Sequence, residues 1–202
     1  LEDRSTIRVI NLATKQVRTV MDGKFEYSYS DGDQWYQWSP DSRWILSNYI
    51  GTGGWNNKDV ALINASGNGE IHNLTQSGYN DSGAKWVLDG KAMIWESDRA
   101  GYRSHGSWGA HGDIYIMFFD LEAYERFLMS KEELALLEET EKEKKDDKKE
   151  LEDKDKKNKK STNDDKKKEE VKPLTFDLDN CRDRIVRLTK HSSSLGDAIL
   201  SK

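Results

Sequence analysis

Apolar and polar positions along this chain fall into short strand-like runs, not helical stripes. Ile7–Leu12, Trp44–Tyr49, Val60–Ile63, Ala92–Ser97 and Ile114–Phe119 are rich in β-branched and aromatic side chains. Turn formers bound them, as in Pro40-Asp41-Ser42, Ser66-Gly67-Asn68-Gly69 and Leu88-Asp89-Gly90. Asp89-Gly90 predicts a tight hairpin, because Gly accepts the positive φ that such turns need. Asp41-Ser42 lacks the Gly and predicts a turn of another type. Runs that are apolar at every position, such as Ile114-Tyr-Ile-Met-Phe-Phe119, predict sheets covered on both faces.

The pattern repeats. Tyr36–Tyr49 is matched 48 residues later by Ala84–Ser97, which sets Trp38 opposite Trp86, Asp41 opposite Asp89, Arg43 opposite Lys91 and Leu46 opposite Ile94. Asp59–Ile63 matches Asp113–Met117 at an offset of 54, and Asn73-Leu-Thr75 matches Arg187-Leu-Thr189 at 114. Asp197–Lys202 begins the pattern a third time. The second unit is therefore the first with 6 extra residues in one loop and 60 in another. Units of about 40–50 residues with four short strands are the signature of a β-propeller.

The predicted fold is all-β: propeller blades of four-stranded antiparallel sheets, forming an incomplete propeller, with a charged helical and then disordered insertion. An ordinary β-sandwich has similar strand spacing but makes the matched order of loops accidental. The predicted divisions are blades over 1–120, the insertion over 121–173, and re-entry with the start of a further blade over 174–202. The interrupted third copy reads as a piece of a longer protein that supplies the remaining blades, with association with another copy as the alternative.

The insertion carries most of the polarity. Lys131–Lys172 holds 15 Lys and 16 Asp or Glu, a near balance within a chain of net charge −5. Ser130 and Glu133 have capping-box spacing, Leu134 and Leu137 share a helical face, and Glu138/Lys142 and Glu141/Lys145 are i,i+4 pairs. These predict a helix from about Lys131 to about Lys149. Asp153–Glu170 has almost nothing to bury and is expected to be mobile. It reads either as a lid or partner-binding arm or as a solvated excursion from a loop.

No basic patch with interleaved aromatics points to nucleic acid, and no apolar run is long enough for a membrane span. Cys181 is the single cysteine, so no intrachain disulfide forms. Two loops, Gly51–Asn57 and Gly101–Gly112, are Gly-rich and aromatic, and both join the second and third strands of their units. They are expected on one face, where Trp55, Arg103, His105 and Trp108 are candidates for peptide or partner binding, Arg103 through a carboxylate. The competing reading has Trp side chains plugging gaps between sheets. His105 and His111 lack the ligand pattern of a metal site, so no metal and no cofactor is expected. Ser104 and Ser107 lie near His105, yet no Gly-x-Ser-x-Gly elbow is present and no catalytic residue is assigned.

Trp38-Ser-Pro-Asp41, Asn73-Leu-Thr75, Ser97-Asp-Arg-Ala-Gly101 and Asp113-Ile-Tyr-Ile-Met117 resemble propeller repeats of the TolB type. Over nearly the whole chain the sequence resembles the propeller region of bacterial tricorn-like serine proteases. That likeness is carried by Arg103–Gly109, Met117-Phe-Phe-Asp120, Phe127–Glu133 leading into the Lys/Glu tract, Asp183–Thr189 and Gly196–Ser201. The resemblance implies a non-catalytic propeller that guides or gates unfolded peptides toward catalytic domains elsewhere in the parent. Those peptides or domains would be its partners, with a homo-oligomer formed through the parent. It implies a periplasmic or otherwise exported location, with the cytoplasm as the alternative. Two other readings stand beside it: a TolB-like module for a protein partner or glycan, and the propeller of a prolyl-oligopeptidase-type peptidase.

Overall fold

The structure is a computed structural model that describes residues 4–26, 33–51, 54, 57–103, 109–156 and 172–200, with the backbone alone over 144–156. Its strands are β1 (Ile7–Ile10), β2 (Val17–Met21), β3 (Tyr36–Trp38), β4 (Trp44–Tyr49), β5 (Asp59–Asn64), β6 (Ile71–Asn73), β7 (Asp81–Val87), β8 (Ala92–Ser97), β9 (Asp113–Phe118) and β10 (Ile185–Arg187). They form three antiparallel sheets: a β1-β2 hairpin and two four-stranded meanders, β3-β4-β5-β6 and β7-β8-β9-β10. The expectation of a mostly-β chain therefore holds. The two helices, α1 (Leu121–Leu128) and α2 (Lys131–Lys156), fall between β9 and β10.

The two meanders share a register residue for residue. Ile45 faces Ile63 and Tyr49 faces Asp59 in the first; at the sequence offsets, Met93 faces Met117 and Ser97 faces Asp113 in the second. Ala61 opposite Asn73 becomes Tyr115 opposite Arg187. Trp38 opposite Ile45 becomes Trp86 opposite Met93. The one departure is an irregularity in β7 between Ser82 and Lys85, where Gly83 takes a φ of 64°.

The hairpin turns differ, as Asp41-Ser42 predicted, and proline is the reason. In the second unit, Leu88, Asp89 and Gly90 all have positive φ, at 51°, 53° and 91°. The position of Leu88 is Pro40 in the first unit, whose ring holds φ near −65°, and there only Ser42 is positive, at 58°. Asp89-Gly90 thus sits in a short 3-10 turn over Leu88–Gly90, not in a two-residue hairpin. A Cβ on Gly90 would lie 2.6 Å from a methyl carbon of Leu174. Gly90→Ala is therefore expected to cost about 1–3 kcal/mol in urea unfolding, through positive-φ strain and that collision; an unchanged midpoint would refute this.

Side-chain alternation places the core. On β5, Val60 and Leu62 point to one face and Ala61 and Ile63 to the other, and all four are inaccessible to solvent. One face packs with Leu46 against Met93, Trp95, Tyr115, Met117 and Phe119. The opposite face packs with Ile45 against Ile7, Val20 and Met21 of the β1-β2 hairpin. The centre of the β3–β6 sheet is thus covered on both sides, which is why β5 carries no polar alternation. Each such apolar side chain contributes on the order of 1.5–3 kcal/mol when fully buried.

The chain divides into two compact units, residues 1–121 with 172–202 and residues 122–171. In the second, the predicted capping box forms: the Ser130 N–H donates to Glu133 Oε2 at 2.8 Å, and the Glu133 N–H donates to Ser130 Oγ at 3.2 Å. The Ser130 N–H holds the Glu133 carboxyl below its ordinary value. Arg126 of α1 pairs with Glu141 of α2 at 2.6 Å. The α2 helix runs to Lys156 instead of ending near Lys149, in keeping with the helix propensity of its Lys and Glu residues. Of the segment expected to be mobile, 153–156 are helical and the remainder lies outside the described residues.

Candidate functional site

The β4–β5 and β8–β9 connections emerge on one edge of the stacked sheets, and that edge is built on aspartates. Asp59 and Asp113 open the third strand of their units and are buried. Asp59 accepts from Asn73 Nδ2 (2.8 Å), Thr75 Oγ1 (3.2 Å) and the Ser77 N–H (3.1 Å). Asp113 accepts from the equivalent residues: Arg187 Nη2 (2.8 Å) and Nε (3.0 Å) in place of Asn73, and Thr189 Oγ1 (2.6 Å), with Ser192 Oγ at 2.7 Å. The Thr oxygens also accept from the Val60 and Ile114 N–H groups, at 3.0 and 3.3 Å. The repeated Asp and Leu-Thr thus latch the third strand to the end of the fourth.

Burial pushes the Asp113 carboxyl up, but hydrogen bonds from Thr189 and Ser192 and the Arg187 guanidinium outweigh it and leave it below the ordinary value. At Asp41 burial is likewise outweighed, there by the Leu174 N–H, the Ser39 hydroxyl and the Arg43 N–H. A lowered folded-state pKa gives stability that is present above the unfolded pKa and lost as pH falls through the folded one. Thermal stability is therefore expected to fall below about pH 4, and Asp113→Asn is expected to flatten that acid limb; parallel acid limbs in the two proteins would contradict the assignment.

A second cluster surrounds Arg99. Its Nη2 donates to both Asp81 carboxylate oxygens at 3.0 and 3.1 Å, and its Nε donates to Ser97 Oγ at 2.9 Å. The guanidinium lies over Tyr115 (4.8 Å) and Trp95 (5.5 Å). Arg103 lies beside it. Its Nε is 3.1 Å from buried Asp98, its Nη2 donates to Asn57 Oδ1 at 3.0 Å, and its guanidinium stands 5.3 Å over the Tyr79 ring. The Asn57 bond joins the two connections, so both do emerge on one face. Arg103 holds a carboxylate of its own chain, and only about a third of its side chain is open to solvent. Trp55, His105 and Trp108, with Ser104 and Ser107, lie outside the described residues.

Cys181 is buried and donates to the Leu178 carbonyl at 3.3 Å. Burial pushes its thiol up, which opposes the thiolate a nucleophile requires. Among the described residues no three His, Cys, Asp or Glu side chains gather as metal ligands, and no helix is long and apolar enough to cross a membrane.

A cleft of about 320 Å³ lies on the β7–β8–β9 face, between Trp35, Lys85, Ile94, Glu96, Ile114 and the segment around Asp197. Sequence reasoning missed it, because its walls come from positions more than 100 residues apart and each reads locally as a strand or turn residue. Lys85 is paired with Asp197 and also donates to the Ala198 carbonyl at 3.2 Å. Trp35 is about 40% exposed, and its indole N–H donates to the Ala84 carbonyl at 3.3 Å. Burial first, and then the Asp98 charge, pushes the Glu96 carboxyl up.

No family model matches the chain, and no curated protein matches it. A search of solved structures finds similarity to the crystal structure of the tricorn protease, at 12% identity and a TM-score of 0.48 over 95% of this chain. This chain spans 16% of the length of that one.

Proposed function

We propose that the two meanders are successive blades of a β-propeller, and that the chain is a non-catalytic propeller region of a tricorn-like serine protease. In this reading it guides or gates unfolded peptides toward catalytic domains elsewhere in an exported parent. The observation that carries the propeller reading is the shared register of the two units, with the same strand order and the same Asp-to-Thr latch despite loops of different length. A sheet covered on both faces by neighbouring sheets is what blade stacking requires. The hairpin β1-β2 fits the third and fourth strands of a preceding blade, since Ile10-Asn11 precedes Ile63-Asn64 by 53 residues and Val17 precedes Ile71 by 54. The protease reading rests on the sequence strings that resemble that family.

In this reading 1–120 supplies blades, 121–173 an insertion between the third and fourth strands of a blade, and 174–202 the re-entry. The connection edge, with Arg103 and the neighbouring Trp55, His105 and Trp108, is the peptide-facing surface. Fluorescently labelled, permanently unfolded casein added to the chain tests this. Saturable binding without cleavage, weakened in the Trp55→Ala/Trp108→Ala double variant, is expected. Binding confined to one folded partner or glycan would transfer the chain to the class of recognition modules. Peptide hydrolysis that Ser104→Ala or Ser107→Ala abolishes would refute the non-catalytic reading.

A further inference from the structure

The turn between β5 and β6 carries a chemistry that neither the sheets nor the connection edge uses. Of the chain's asparagines, only Asn68 is followed by glycine. The main-chain nitrogen after an asparagine can attack the side-chain amide, and the side chain of that next residue is what ordinarily hinders it. Glycine has none. The attack is intramolecular, so access and orientation set its rate.

The structure leaves this pair open. Asn68 and Gly69 are both exposed. A Cβ on Gly69 would meet nothing within 4 Å. The Gly69 N–H donates to no acceptor among the described residues. Asn68 Oδ1 accepts the Glu70 N–H at 3.0 Å, which polarises the side-chain carbonyl toward attack. The two Asp-Gly pairs among the described residues, which cyclise by the same route, are packed instead. A Cβ on Gly23 would lie 2.7 Å from Ser5 Oγ, and one on Gly90 would lie 2.6 Å from Leu174.

We propose that Asn68-Gly69 is a self-modification site, at which the folded chain converts Asn68 to aspartate and isoaspartate without enzyme or cofactor. The Gly69 nitrogen bonds to Asn68 Cγ and the Cγ–Nδ2 bond breaks. Nδ2 leaves as ammonia, with the proton that Gly69 gives up through water. Water then opens the cyclic imide at either carbonyl. One opening gives aspartate, and the other gives isoaspartate, which adds a methylene to the main chain. This site does not depend on the peptide-guiding reading.

The product changes a network built around one carboxylate. Glu70 accepts from Asn64 Nδ2 at 2.7 Å, and it faces His72 Nε2 at 3.0 Å and Asn68 Nδ2 at 3.4 Å. His72 first, then Asn64 and Asn68, hold the Glu70 carboxyl below its ordinary value. In the aspartyl product the Asn68 donor becomes a second carboxylate turned toward Glu70, a like-charge pair. The same turn touches the β1-β2 hairpin, where Arg18 Nε donates to the Ala65 carbonyl at 2.8 Å. Modification therefore loosens the β5–β6 turn and its hold on the neighbouring sheet.

The test keeps the whole chain in warm, mildly alkaline buffer made with heavy-oxygen water, beside a blocked peptide of residues 64–71. Peptide mapping by mass spectrometry is expected to find the amide-to-acid exchange at residue 68, at a rate within about tenfold of the peptide's. Both aspartate and isoaspartate are expected, each carrying the heavy oxygen. Asn68→Gln, whose larger ring closes less readily, is expected to abolish the exchange there. Asn68→Asp stands in for one product and is expected to lower the neutral-pH melting temperature, with Glu70→Gln in the same chain recovering most of the loss. No exchange at residue 68 once the peptide has exchanged completely would overturn the site. Aspartate formed without isoaspartate would overturn the cyclic route. An Asn68→Asp chain as stable as the parent, or one that Glu70→Gln fails to recover, would overturn the like-charge consequence.

Discussion

Asp113→Ala is expected to destabilise the chain by about 3 kcal/mol, because removing one partner of a buried charge pair strands the other. The carboxylate is fully buried and collects four side-chain hydrogen bonds, two of them from Arg187. Its loss leaves Arg187 facing a cavity and Thr189 without its acceptor, so the tie between β9 and the end of β10 fails. Arg187 is about one-third exposed, and water that reaches it keeps the cost at the low end of the range. Asp59→Ala removes the equivalent group, but its donors are neutral, so a smaller loss of about 2 kcal/mol is expected. Urea unfolding of both variants gives the comparison. A cost at Asp59 equal to or above that at Asp113 would show that the arginine adds nothing to the latch. Asp113→Asn, which keeps shape and one acceptor, is expected to fall between the wild type and Asp113→Ala.

Trp95→Ala is expected to be more damaging still, at about 4 kcal/mol, within the range for emptying a buried aromatic site. Trp95 is 1% exposed and lies in the cluster that joins the two meanders, 5.7 Å from the Tyr115 ring. Deleting it removes contact area from both sheets and the aromatic surface over which Arg99 lies. Among the described residues, however, the indole N–H is buried without an acceptor, a state that costs about 1–3 kcal/mol. Trp95→Phe discards that donor while keeping a ring, so a net loss of only about 1 kcal/mol is expected. The pair separates packing from polarity. A Phe variant as unstable as the Ala variant would mean that the N–H is satisfied or that the indole shape is indispensable.

Strand positions were legible because they depend on neighbours along the chain. Trp44–Tyr49 and Ala92–Ser97 are β-branched and aromatic runs between turn formers, and they are strands from end to end. The match between Asn73-Leu-Thr75 and Arg187-Leu-Thr189 located β10 after the long insertion, because a repeated unit must place its fourth strand against its third. The N-terminal hairpin showed only as a strand at Ile7–Leu12. Its likeness to β5-β6 rests on a few residues, and its shorter turn conceals the offset. The candidate site was less legible. Arg103 could be chosen as a carboxylate holder, but that its carboxylate is the chain's own Asp98 depends on how the β8–β9 connection folds back.

Strand content, the order of the units and the length differences between their loops are all written along the chain. Side-chain period and turn chemistry are short-range properties, and the internal matches need only comparison of one stretch of chain with another. Tertiary structure alone makes Asp59 and Asp113 latches, sets Arg103 against Asp98 and pairs Lys85 with Asp197. Each of those outcomes brings together groups that are not neighbours in sequence. Burial and pairing then set the energy of each charge, and neither can be read from local composition.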